Sequence, residues 1–149
     1  MRPVWWAYAS YLRLTKPTGL HARALVTRSG TQEVLLIRHT YRPGWFFPGG
    51  GIEGGETACQ AAEREAWEEA GIKASGESSF VGLYLRMDHG RSDHVALYRI
   101  DDWQREPIDS MEIAEAAFFP ADALPDDIEP GTRRRVEEIN GLRGSDLYW

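Results

Sequence analysis

The chain has a single cysteine, Cys59, so it can form neither an intrachain disulfide nor a multi-cysteine zinc site, and it suits a reducing compartment such as the cytoplasm. Positive charge is also scarce. With 17 Lys and Arg against 23 Asp and Glu, the net charge of −6 works against nonspecific binding to nucleic-acid polymers or anionic lipid. No long apolar run is present either. The aromatic cluster Trp5, Trp6, Tyr8 and Tyr11 is broken by Arg13, Lys16 and Pro17 well before it reaches the length of a signal peptide or a membrane span. No repeat or low-complexity linker divides the chain, and His21, His39, His89 and His94 lack zinc-ligand spacing.

A length of 149 residues, 42% of them apolar, fits one domain over 1–149, with 1–19 as an extension packing on it. Within the extension, Trp5 and Trp6 suit either cover for a sheet edge or a homodimer contact. Leu20–Thr27 and Val34–His39 read as strands around the turn Arg28-Ser29-Gly30-Thr31, and Trp45-Phe46-Phe47 as a short aromatic segment stopped by Pro48. Phe80–Met87 and His94–Ile100 read as strands flanking a polar connection, Asp88–Asp93, and Ala114–Phe119 as another. A last helix is expected over Thr132–Asn140. Strands and helices in this order predict an α/β (α+β) fold.

Between them lies Gly49-Gly50-Gly51-Ile52-Glu53-Gly54-Gly55, a loop whose glycines permit close backbone approach. A helix follows, expected from Thr57 to Ala70. Thr57 and Gln60 have capping-box spacing and Gly71 supplies a left-handed stop. At about 100° per residue, Glu65, Glu68 and Glu69 share one stripe, while Cys59, Ala62, Ala66 and Ala70 line an adjacent stripe of small residues suited to close docking on a sheet. A solvated face normally mixes charge signs, but Glu56, Glu63, Glu65, Glu68 and Glu69 share one cation, Arg64. A hard divalent cation such as magnesium, bound by carboxylates and a backbone carbonyl of the glycine loop, would offset that excess.

Rival motifs fail on chemistry. Gly49-x-Gly51-x-x-Gly54 matches a dinucleotide fingerprint, yet its helix starts too late and a proline breaks the preceding strand. Gly50-x4-Gly55-Glu56-Thr57 has a glutamate where a P-loop needs lysine, and Asp88–Asp93 has Arg99 where a calcium loop needs its closing glutamate. By contrast, Gly50, Glu56 and Arg64-Glu65-Ala66-Trp67-Glu68-Glu69-Ala70-Gly71-Ile72 fit the Nudix box at every fixed position. The chain therefore resembles the Nudix hydrolases. Only Ala66 is smaller than the usual aliphatic residue.

That resemblance implies an α/β/α sandwich with a mixed sheet and hydrolysis of a diphosphate linkage in a nucleoside diphosphate derivative or nucleoside triphosphate. It implies Mg2+, with Mn2+ as a substitute, held by Glu65, Glu68, Glu69 and the Gly49 carbonyl. Gly50, Glu56, Arg64 and Gly71 would support the box, with Glu56 and Arg64 as an orienting pair. Glu65 and Glu69 would act in catalysis. The base is Glu65 or a later loop carboxylate, Glu112 or Glu115. Among Arg23, Arg38, Arg42, Arg86 and Arg91 as candidate phosphate contacts, Arg38 and Arg42 are carried as substrate-binding, with Phe47 as a base-stacking candidate. The absence of proline in Lys73–Asp93 speaks against the ADP-ribose subclass. The alternative function is a noncatalytic Nudix-fold module that binds nucleotide or protein.

Overall fold

The computed structural model describes Tyr11 and residues 18–88 and 90–149. Most of the expected 1–19 extension, including Trp5 and Trp6, and His89 lie outside these residues. The order is β1 (Thr18–Val26), β2 (Glu33–His39), β3 (Gly49–Gly51), α1 (Ala58–Ala70), β4 (Ile72–Ala74), β5 (Ser79–Asp88), β6 (Arg91–Ile100), β7 (Trp103–Arg105), β8 (Ile113–Pro120) and α2 (Pro130–Ile139). A mixed sheet runs β3-β1-β6-β5, with β1 parallel to β6 and the other pairs antiparallel. Strands β2 and β8 form a second, antiparallel pair, joined to β1 through the Thr27–Val34 bridge.

Period-two alternation builds a core on each side of these strands. Ala22, Ala24 and Val26 of β1 and Leu35 and Ile37 of β2 meet Ala61, Ala62, Ala66 and Ala70 of α1. Leu25, Val34 and Leu36 point the other way, toward Val95, Leu97, Trp149 and Val136 of α2. Helix, strands and helix thus form the expected α/β/α layers. The docking stripe on α1 differs by one residue, because Ala61 is buried while Cys59 is only half-buried.

Helix α1 starts where its chemistry requires. Thr57 accepts from Gln60 N at 3.2 Å, and the Gln60 side chain accepts from Thr57 N at 2.9 Å. Gly71 closes the helix at φ 66°. Helix α2 starts two residues earlier than expected, because the Glu129 carboxylate caps Gly131 N and Thr132 N, and Pro130 fits the first turn.

Two segments read as loops are strands. Gly49–Gly51 pairs with β1. Polar residues 91–93 continue the β5–β6 ladder, where Arg86 pairs with Asp93 across the strands at 3.3 Å. Asp93 also accepts from Gly19 N at 3.0 Å, so its polarity is satisfied inside the sheet.

Candidate active site

The candidate site forms where α1 crosses the glycine strand β3. Gly49 sits so close to β1 that a Cβ there would lie 2.2 Å from Ala22 O and 2.9 Å from Arg23 Cα. Gly50 faces the end of a helix side chain instead of backbone. A Cβ on it would lie 2.4 Å from Glu65 Oε1, so the missing side chain is the space that the Glu65 carboxylate occupies.

The two backbone groups of Gly49 face opposite charges. Its N–H donates to Glu69 Oε2 at 2.8 Å, and its carbonyl accepts from Arg23 Nη1 at 2.9 Å. Arg23 also donates to Phe47 O at 3.2 Å. Burial lowers the Arg23 pKa to about 10. Burial also pushes the Glu69 carboxyl up to about 7, a shift reinforced by the charge of Glu65 and opposed by the Gly49 N–H, Arg23 and Arg42. Glu65 is raised by burial too, against the pull of Arg64.

Arg64 organises the rest of the row. It donates to Glu56 Oε1 at 2.8 Å and Oε2 at 3.1 Å, to Glu65 at 2.9 Å, to Glu68 at 3.2 Å and to Gly51 O at 3.1 Å. Its hydrogen bonds to Glu56 hold Glu56 below the usual carboxylate range and raise its own affinity for a proton. Glu56 also accepts from Glu53 N at 2.9 Å, which closes the glycine loop. No donor of Arg64 reaches Glu69, so among the described residues the most buried acid of the row has only a backbone N–H as hydrogen-bond partner.

The 105–116 connection faces the C-terminal end of α1. A cleft of about 380 Å³ is lined by Glu69, Arg105, Asp109, Ser110 and Glu115, and an adjoining one of about 390 Å³ by Trp67, Glu68 and Pro107–Ser110. Glu112, the first-named loop carboxylate, does not line either cleft. Its backbone carbonyl accepts from Thr40 N at 2.8 Å, and the cleft acid is Glu115.

The other expected contacts divide. Arg42 lies over the Phe46 ring at 3.9 Å and lines a pocket with Arg23 and Arg86. Arg38 turns elsewhere, pairing with Asp127 at 3.2 Å and lying 4.6 Å from the Trp45 ring centroid. Phe47 is a correction. It is 0% exposed in the core, edge-on to Trp149 at 6.4 Å, and offers no face to a base. Pro48 and the alternation of the segment turn its ring inward, and the half-buried Phe46 meets Arg42 instead. Arg23 is one of five candidate phosphate contacts in the sequence, and its position between the helix-facing residues Ala22 and Ala24 assigns it to the opposite face.

Among the described residues, no group of three His, Cys, Asp or Glu side chains is arranged around a common metal position. The donor set is nevertheless one that hard cations prefer: three carboxylates and a carbonyl beside an acid row with a single, fully engaged arginine.

The NUDIX domain pattern matches residues 17–139. The chain belongs to the Nudix family. This Nudix chain is 29% identical over 120 residues to a Bacillus subtilis (strain 168) protein named "Putative 8-oxo-dGTP diphosphatase", covering 80% of this chain and 79% of that one. It is 34% identical over 77 residues to a Rattus norvegicus protein named "Diphosphoinositol polyphosphate phosphohydrolase 2", covering 48% of this chain and 42% of that one. The crystal structure of a MutT NUDIX hydrolase from Burkholderia pseudomallei superposes with a TM-score of 0.72 at 22% identity, covering 82% of this chain and 98% of that one. Family and relatives are pyrophosphohydrolases, an enzyme class that generally uses divalent metal ions. Among the described residues no helix is long and apolar enough to cross a membrane.

Proposed function

We propose that this chain is a magnesium-dependent hydrolase that cuts a diphosphate linkage in a nucleoside triphosphate or a nucleoside diphosphate derivative. The observation that carries the reading is the acid row laid against the glycine strand. Burial disfavours the charge on Glu69, and Arg64 is fully engaged by Glu56, Glu65 and Glu68. Glu65, Glu68, Glu69 and the Gly49 carbonyl, which also accepts from Arg23, would hold the cation, with manganese as a substitute. When bound, such an ion neutralises phosphate charge and promotes ionisation of water.

The chain's own groups do the remaining work. Arg64 fixes the carboxylates of Glu65 and Glu68, and Glu56 fixes Arg64, so these residues position rather than react. Glu65, raised by burial and seated over Gly50, is the first candidate to take a proton from the attacking water. Glu115 is the second, because it shares a cleft with Glu69. Arg42 and Arg23, which line one pocket, would contact the substrate phosphates.

The test is a nucleotide panel with magnesium, with manganese and with chelator. The name of the Bacillus relative adds an oxidised deoxynucleoside triphosphate to that panel. Turnover that needs the metal and falls by orders of magnitude in Glu65→Gln with the fold intact supports the reading. Binding without hydrolysis of any member would instead point to a noncatalytic binding module.

A further inference from the structure

Arg23, Arg42 and Arg86 come from three separate segments, yet they line one pocket with Phe46, Glu129, Thr132 and Trp149. Its volume is about 110 Å³. That is well below the roughly 300 Å³ at which pockets for drug-sized ligands begin, so the pocket suits a small group such as a phosphoryl group rather than a whole nucleotide.

The charges in the pocket are not balanced. Among the described residues Glu129 is the only acidic side chain lining it, and that group already accepts from Gly131 N, Thr132 N, Thr132 Oγ1 and Trp149 Nε1. Asp93 takes one arm of Arg86 but also serves Gly19 N and lies 3.6 Å from His21. Of the donors of these three arginines, Arg42 Nε and Arg86 Nε are buried without a hydrogen-bond partner among the described residues. Buried unpartnered guanidinium N–H groups are costly unless an acceptor arrives.

The neighbouring histidines are disfavoured as cations, chiefly by burial and then by these arginines. Burial and then Arg42 and Arg23 hold His39 at about 4. Burial and then Arg86 lower His21, against the pull of Asp93. Arg23 connects the pocket to the acid row, since its guanidinium donates to the carbonyl of Gly49, the residue whose N–H donates to Glu69.

We propose that the pocket of Arg23, Arg42 and Arg86 seats a phosphate group of the substrate additional to the diphosphate that is cut. The inference rests on the hydrolase reading above for the position of that diphosphate, and it narrows the substrate class to molecules with at least one further phosphate. A terminal phosphate of a nucleoside triphosphate and a ring phosphate of an inositol polyphosphate share this chemistry.

Calorimetric titration of the full chain with inositol hexakisphosphate, without metal, reads the pocket independently of turnover. Wild type is expected to bind. Arg86→Gln and Arg42→Gln should each weaken binding by about tenfold or more, as for loss of a charge-assisted phosphate contact. Arg143→Gln removes an exposed arginine paired with Glu137 and should leave Kd within about twofold. No binding by wild type, unchanged binding in both pocket variants, or an equal loss in Arg143→Gln would overturn the proposal.

Magnesium-supported kinetics with dGTP and with a diphosphoinositol polyphosphate then separate the two phosphate sources. The true class is the one whose KM rises in Arg86→Gln while kcat holds. A chain that hydrolyses neither but titrates as described refutes the hydrolase reading and keeps the phosphate pocket. A chain that hydrolyses both with unchanged KM in the pocket variants does the reverse.

Discussion

Replacing Glu69 by Gln should stabilise the metal-free protein at alkaline pH while removing its activity. The folded Glu69 carboxyl titrates near 7 against 4.5 for an ordinary glutamate, so folding takes up a proton between those values. The stabilising contribution of this group is fully present below pH 4.5 and is lost as the pH rises through 7. At about 1.4 kcal/mol per tenfold change in proton affinity the gap corresponds to roughly 3 kcal/mol, or about 2–3 kcal/mol after screening by residual solvent.

Glutamine mimics the protonated acid and keeps an acceptor for Gly49 N. At pH 4 wild type and variant should therefore melt together. At pH 8 in chelator the variant should melt about 4–12 °C higher, taking roughly 2–4 °C per kcal/mol for a chain of this size. Magnesium should raise the wild-type melting temperature and close much of the gap, because only the carboxylate gains a cation. Thermal unfolding by circular dichroism at several pH values, with chelator and with magnesium, is the assay. A melting difference that is zero or negative at pH 8, or that does not vary with pH, would refute the argument that burial of an underpaired charge strains this site.

Gly50→Ala should fold normally, because the three atoms nearest the added methyl all belong to the movable end of Glu65. It should lower kcat by at least about tenfold by displacing that carboxylate, as checked by circular dichroism alongside steady-state rates. Phe47→Ala should cost about 3–5 kcal/mol in denaturant unfolding, since it empties a fully buried site. Any folded fraction should retain its KM. Glu115→Gln should reduce turnover more than Glu112→Gln, and equal, near-normal rates for both would leave the proton acceptor in the helix row.

The parts of this molecule that were legible in its sequence are those in which neighbours along the chain determine the structure. The limits of α1 follow from Thr57, Gln60 and Gly71 acting within one turn of each end, and its docking face from alanines three and four apart. The acid row and its arginine were legible for the same reason. Where partners come from distant segments, the reading failed. Nothing local indicates that Gly49–Gly51 pairs with residues 21–23, or that three-residue strands at Ile72 and Trp103 meet. Polarity misled at Asp93, whose partners come from Gly19 and Arg86, and aromaticity misled at Phe47, where alternation against Phe46 decided which ring is buried. Glu112 and Glu115 could not be separated from spacing, because the choice depends on how the 105–116 connection lies over α1.

The alanines under the acid row act as a spacer, and their thinness sets how far the carboxylates stand from the glycine strand. Ala61, Ala62 and Ala66 are wholly enclosed, so a larger side chain at any of them lifts the helix and moves Glu65, Glu68 and Glu69 together as one rigid set. The tolerance of this site to substitution is therefore inverted relative to its chemistry. Exposed charges around the row admit exchange, while uncharged residues on the hidden face, with no functional group of their own, admit almost none.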